Sequence, residues 1–326
     1  MKKWLYAGSA LLILQFILVV VFNVTSQDFA AFTPEEKLLG FDPHAVDGIS
    51  VSGEGAQKVV LAKVNGKWQL PDKLKAPADE KKVSEILKKL SALKQGLAVA
   101  TTRSAAKRFK VSDENFVRHV VLSSGEETVA DFFLGTTPSF KKIHARVHDR
   151  NEIVSVDLSA YELEITANGW LDRSVLKIEK EKIESLKIGD MALEKQNGAW
   201  RLADLADSEE MNAPEVDKLL DKASDLTIED VLDPSGNEEL LKNDPELFIS
   251  FALAGKERSY SFYKPEKENH YILKSSDHDF LFKIGGWQVD EMKKITRNSL
   301  VNVKKENEIP EPGKNVTEGD KENLHQ

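Results

Sequence analysis

Leu61-Ala62-Lys63-Val64-Asn65-Gly66-Lys67-Trp68-Gln69-Leu70 returns, 132 positions on, as Leu193-Glu194-Lys195-Gln196-Asn197-Gly198-Ala199-Trp200-Arg201-Leu202. Leu61, Asn65, Gly66, Trp68 and Leu70 keep their places as Leu193, Asn197, Gly198, Trp200 and Leu202. Asn-Gly between two such segments marks a hairpin, because a type I′ turn needs positive φ at both central residues and Asn and Gly tolerate it. The spacing predicts Val59–Val64 paired with Lys67–Leu70, and Ala192–Gln196 paired with Ala199–Leu202. Further on, Val83, Ile86, Leu87, Leu90 and Leu93 match Val216, Leu219, Leu220, Ala223 and Leu226, now displaced by 133. Apolar residues at that spacing form one face of a helix. Pro77 precedes the first helix, and Asn212 with Pro214 starts the second.

Outward from these helices both halves read as strands. The first offers Val117 to Ser123, Val129 to Leu134, Ile143 to His148 and Ile153 to Asp157. The second offers Leu247 to Leu253, Arg258 to Tyr263, His270 to Lys274 and Phe280 to Ile284. The expected fold class is α+β: two tandem copies of an antiparallel-sheet-plus-helix domain, residues 42–176 and 177–303. Residues 26–41 form a juxtamembrane helix and linker, with Thr33-Pro34-Glu35-Glu36 as its start and its end near Leu39. Residues 304–326 are charged and poor in apolar groups, so they read as a disordered tail.

Residues 1–25 read as a cytoplasmic stub and an anchor. From Trp4 to Val24 no residue is charged, and at ~1.5 Å per residue a helix of that length matches a bilayer core. Lys2 and Lys3 precede the run and Asp28 is the first charge after it. The positive-inside rule then places the folded part outside the cytoplasm. A cleaved signal peptide ending at Val24-Thr25-Ser26 is the rival reading. The net charge of −9 over 326 residues gives no general attraction to nucleic acid. Cysteine is absent, which removes disulfides and thiolate chemistry.

Several clusters of polar and aromatic residues bear on chemistry. His144 and His148 alternate with Ile143, Ala145 and Val147, which puts both rings, with Arg146, on the wet face of a strand rather than around one ion. Asp277-His278-Asp279 reads as a hairpin loop with metal-binding as its minor alternative. Asp204, Asp207, Glu209 and Glu210 read as a solvated stretch before the second helix, able also to attract a cation or a basic partner. Phe248, Phe251, Tyr260, Phe262, Tyr263, Phe280, Phe282 and Trp287 read as core, with a ligand groove as the alternative. Trp68 and Trp200 are expected under the helices, and Lys81, Lys82, Lys88 and Lys89 on a solvated helix face. Arg173 and Arg297 follow tryptophans at unequal spacing, so no shared role follows. No glycine-rich nucleotide loop or Gly-x-Ser-x-Gly elbow occurs. No residue is therefore assigned a catalytic, cofactor-binding or metal role, and no cofactor is implied.

Trp68-Gln69-Leu70-Pro71 followed by Pro77-Ala78-Asp79 and an amphipathic helix resembles a bacterial domain-of-unknown-function family. The second copy departs from the pattern, since Trp200-Arg201-Leu202 runs into Ala203-Asp204 without proline. The resemblance implies a single-span, membrane-anchored extracytoplasmic protein, often encoded beside auxiliary subunits of gliding-motility-type ABC transporters. It brings no catalytic residue with it. The expectation is a non-enzymatic accessory protein of the inner membrane, partnered by the lipid bilayer through its N-terminal helix and by a membrane or envelope protein. A ligand-binding module for an envelope glycan or lipid between the copies is the alternative, and a carboxylate-dependent envelope hydrolase the remote one.

Overall fold

The computed structural model describes residues 36–55 and 57–304, with Gln15 alone before them. The anchor at 4–24, the helix start at Thr33 and the tail beyond Lys304 lie outside the described residues. Among those described, no helix is long and apolar enough to cross a membrane. By its contacts the chain forms two units. The first gathers the residues up to Leu176 with Thr227–Glu239 and Asp279–Ile284, and the second holds Lys177–Leu226, Leu240–His278 and Gly285 onward.

In the first unit, β1 (Gly48–Ser52), β2 (Lys58–Val64), β3 (Lys67–Leu70) and β4 (Ala76–Pro77) lead into helix α1 (Glu80–Ser91). Then come α2 (Arg103–Arg108), β5 (Val111–Ser112), β6 (Asn115–Phe116), β7 (Arg118–Ser124), β8 (Glu127–Leu134), β9 (Ile143–Val147) and β10 (Val154–Val156). One eight-stranded sheet runs β10-β9-β8-β7-β1-β2-β3-β4, and its pairs are antiparallel. Asn65 and Gly66 turn between β2 and β3 at φ 52° and 79°, as the type I′ reading requires. Asp79 caps α1 by accepting from the Lys82 N–H at 3.0 Å, and α1 buries Val83, Ile86, Leu87 and Leu90.

Strands β1, β2, β3 and β7 alternate between buried and more accessible residues, the signature of a sheet with one covered face. Strand β8 breaks that rhythm: Phe132, Phe133 and Leu134 are all buried, as are Ile143 to Arg146 of β9. The second face there is covered by α2 and β5, through Ala105, Ala106 and Val111, which join Phe133 and Ile153 in one apolar cluster with Phe109 and Phe116 against it.

Residues 36–39 are not the end of a helix. The Leu38 N–H donates to the Leu93 carbonyl and the Gln95 N–H to the Glu36 carbonyl, both at 2.8 Å, around a bridge between Lys37 and Lys94. Burial of Leu38 and Leu39 favours this extended pairing over the helix that the capping residues suggested.

In the second unit, β11 (Ile183–Ile188), β12 (Met191–Gln196), β13 (Ala199–Leu202) and β14 (Glu209–Met211) precede α3 (Ala213–Ser224). The chain then supplies β15 (Ile228–Leu232) to the first unit. There the Ile228 N–H donates to the Arg173 carbonyl at 3.0 Å and Asp230 pairs with Lys73 at 2.8 Å. A short α4 (Glu238–Leu241), β16 (Leu247–Leu253), β17 (Lys256–Tyr263) and β18 (His270–Ser275) follow. Next come β19 (Leu281–Gly285), which pairs with β15, then α5 (Gly286–Lys293) and β20 (Val301–Val303), which pairs with β14. The second unit's sheet runs β13-β12-β11-β16-β17-β18, antiparallel. Asn197 and Gly198 again turn at φ 52° and 84°. Asn212 stands at the start of α3 without capping it, because its side-chain amide donates to the Ser299 carbonyl at 3.1 Å. The fold is thus α+β, antiparallel sheets with few helices.

Candidate functional site: a polar cleft over a buried arginine

In antiparallel register Phe133 of β8 faces His119 of β7 and Arg146 of β9. The three side chains therefore stand in one row on the sheet face that α2 and β5 cover. The Phe133 ring stacks on His119 at 4.3 Å between centroids, and the Arg146 guanidinium lies 4.8 Å from its centroid, a cation–π contact. His148 leans on the same ring at 5.7 Å. His119 Nε2 lies 2.7 Å from Asp131 Oδ1.

Arg146 departs furthest from its expected place. Alternation put it with His144 on a wet face, yet both are buried, each at 7% exposure. A buried guanidinium must have its donors answered, and here they are. Nε donates to the Val111 carbonyl at 2.6 Å. Nη1 donates to the carbonyls of His148 at 2.7 Å and Arg150 at 3.1 Å, and Nη2 to Asp113 Oδ1 at 2.9 Å. His148 Nδ1 lies 3.4 Å from that same oxygen. Burial pushes the Asp113 carboxyl up, but the hydrogen bond and charge of Arg146, with His148, outweigh it and hold the group below its usual range.

Above Arg146 opens a cleft of roughly 440 Å³, lined among others by Arg103, Lys107, Asp113, Glu114, His148 and Arg150. Its rim mixes both signs of charge, from Arg103, Lys107 and Arg150 and from Asp113 and Glu114.

His144 lies apart from His148. Its Nδ1 contacts the Thr136 carbonyl at 3.0 Å; an oxygen that only accepts fixes the neutral proton on Nδ1. The ring stacks on Phe109 at 4.3 Å. Burial drives its pKa down, against a smaller upward pull from the Thr136 backbone. The unfolded ring, with a pKa near 6.5, then binds a proton that the folded ring refuses, so stability falls as pH drops below about 6.5. Thermal midpoints measured from neutral pH to pH 5 should fall more steeply for the wild type than for His144→Gln. Parallel curves would contradict this.

Elsewhere the clusters resolve into internal pairs. Arg297 takes two members of the acidic stretch, reaching Asp204 Oδ2 at 2.7 Å and Glu209 at 2.9 and 2.7 Å. The Glu209 carboxyl is pushed down to about 2, first by the Arg297 hydrogen bond and then by that of the Ala206 N–H. Arg173 donates to the Ile228 and Glu229 carbonyls. Asp277 pairs with Arg258 at 2.5 Å. Lys82 departs from the solvated face expected of it and donates to the Gly169 carbonyl beside Trp170, whereas Lys89 is exposed as expected and pairs with Glu162. Lys81 and Lys88 are exposed. Phe251, Tyr260, Phe262, Tyr263 and Phe282 are core, and Phe280 is half-buried. Phe248 and Trp287 are exposed, and Trp200 is only half-buried where Trp68 is buried. Among the described residues, no three His, Cys, Asp or Glu side chains converge to hold a metal ion.

His119, Asp131, Phe133 and Asp113 carry no signal of a site in the sequence, and Arg146 was expected in solvent. What the sequence did offer was the run Phe132-Phe133-Leu134, which says that both faces of β8 are covered.

The profile of a family described as a domain of unknown function, DUF4340, matches residues 68–245. No curated protein matches the chain, and no solved structure does.

Proposed function

The chain belongs to the DUF4340 family, whose profile spans more than half of it, and on that premise we propose a membrane-tethered, extracytoplasmic accessory protein that binds another envelope component without transforming it. The observation that carries this reading is the floor of the cleft. Arg146 is spent on three backbone carbonyls and Asp113, which makes a rigid platform for recognition. The apolar run from Trp4 to Val24 supplies the tether. A duplicated scaffold accompanies it. The strand order β3-β2-β1-β7-β8-β9 of the first unit matches β13-β12-β11-β16-β17-β18 of the second, each with its Asn-Gly hairpin, which supports descent of both from one module. The partner is a membrane protein, with a subunit of an ABC-type transporter as the first candidate that the family resemblance brings.

The test uses the full chain in its native membrane, with a photo-crosslinking residue in place of Lys107 on the rim of the cleft. A specific crosslink to a membrane protein, lost when Arg150→Glu reverses the neighbouring charge, is expected. A chain that fractionates away from membranes, or that gives no adduct from either Lys107 or Asn151, overturns the reading.

A further inference from the structure

We propose that the face of the first unit carrying Leu97, Phe140 and Tyr161 beside Lys89, Lys94 and Lys142 rests on an anionic lipid bilayer. The inference depends on the tethered reading above and adds to it which surface meets the membrane. Leu97, Phe140 and Tyr161 are 69%, 87% and 86% exposed, and the Lys141 ammonium lies 5.3 Å from the centroid of the Phe140 ring. Leu97 shares a cleft of roughly 620 Å³ with Lys89, Lys94 and Lys142. Phe140 lies two residues before Lys142, and Tyr161 adjoins Glu162, which Lys89 holds. Aromatic and aliphatic tips interleaved with lysine stems are the composition that settles at a headgroup boundary, the tips entering the acyl edge and the ammonium groups meeting lipid phosphates. Lys142 pairs with Asp157 and Lys89 with Glu162, and both ammonium groups stay part-exposed at the surface.

The position of the tether selects the lipid surface over a protein. Residues 36–39 pair with Leu93 to Gln95, directly beside Lys94 and Leu97, so the chain joins the folded unit at this face. Only residues 25–35 separate it from the end of the apolar run, and at ~3.5 Å per residue they reach about 38 Å at most. The face is therefore the part of the first unit held nearest the bilayer, at high effective concentration.

The chain has no cysteine, so single reporters can be introduced cleanly. Ser139→Cys, next to Phe140, and Glu126→Cys, in the β7–β8 turn, are labelled with a polarity-sensitive fluorophore. The full chain is then placed in nanodiscs of phosphatidylcholine with or without phosphatidylglycerol, doped with a headgroup nitroxide lipid. Quenching at 139 is expected to be several-fold that at 126 in the anionic discs. It should weaken without phosphatidylglycerol and fall to the level of 126 in the Leu97→Ser, Phe140→Ser variant. Equal quenching at both positions in a chain that co-elutes with the discs overturns the docking face and leaves the tether standing. Undiminished quenching in neutral discs overturns the anionic preference. A chain that fails to co-elute with either disc overturns the tethered reading, and the docking face with it.

Discussion

Replacing Arg146 by alanine is expected to destabilise the first unit by about 3–5 kcal/mol, the range for breaking a buried charge network by removing one member. Three carbonyls, those of Val111, His148 and Arg150, lose their donor together, and the face of Phe133 loses its cation. Lysine cannot substitute, since one ammonium cannot reproduce the planar fork that serves acceptors on separate segments. Asp113→Asn is expected to cost under about 1 kcal/mol, because that carboxylate is largely exposed and exposed pairs contribute little. Hydrogen exchange followed by mass spectrometry separates the two. Peptides covering β8, β9 and residues 103–116 should lose protection in Arg146→Ala and keep it in Asp113→Asn. Similar protection in both would mean that the carbonyls find water without penalty.

Gly135→Ala is expected to cost roughly 3 kcal/mol or more, an overpacking effect at the upper end of its usual range. A methyl group there would lie 1.9 Å from the Phe109 carbonyl oxygen and 2.7 Å from that of Lys110, and backbone cannot rotate aside as a side chain can. The close approach is built into the layer that covers Arg146. The Gly135 N–H donates to the His144 carbonyl at 2.9 Å and the Thr136 N–H to that of Phe109 at 2.8 Å. The variant should expose His144 to diethylpyrocarbonate, while Gly40→Ala, with open space around it, should stay within about 0.5 kcal/mol of wild type. An unreactive His144 in the alanine variant would show that the layer shifts at little cost.

The two hairpins were legible because Asn-Gly dictates local geometry that nothing distant needs to supply. The helices were legible for a similar reason, since a single apolar face declares itself over a dozen residues. The strands of both back halves were placed within a residue or two. The cleft was not legible. Alternation along β9 tells which residues share a side, but whether that side is wet depends on a segment elsewhere in the chain. The covering layer, residues 103–116, is short, rich in alanine and charge, and announces itself weakly. His144 and Arg146 were accordingly put in solvent. Partner choice was equally hidden: Arg297 lies 88 residues from Glu209, and no local pattern connects them.

The first unit is discontinuous, and that bears on how it comes into being. Segments Thr227–Glu239 and Asp279–Ile284 belong to it, with Asp230 on Lys73 and Ile228 on Arg173. Chains generally begin folding from the N-terminus while they are made. Here the earliest-born unit closes its own eight-stranded sheet by Val156 yet lacks β15 and β19 until the ribosome has reached Ile284, so cutting the gene after Leu176 would leave that unit without the paired strands that complete it.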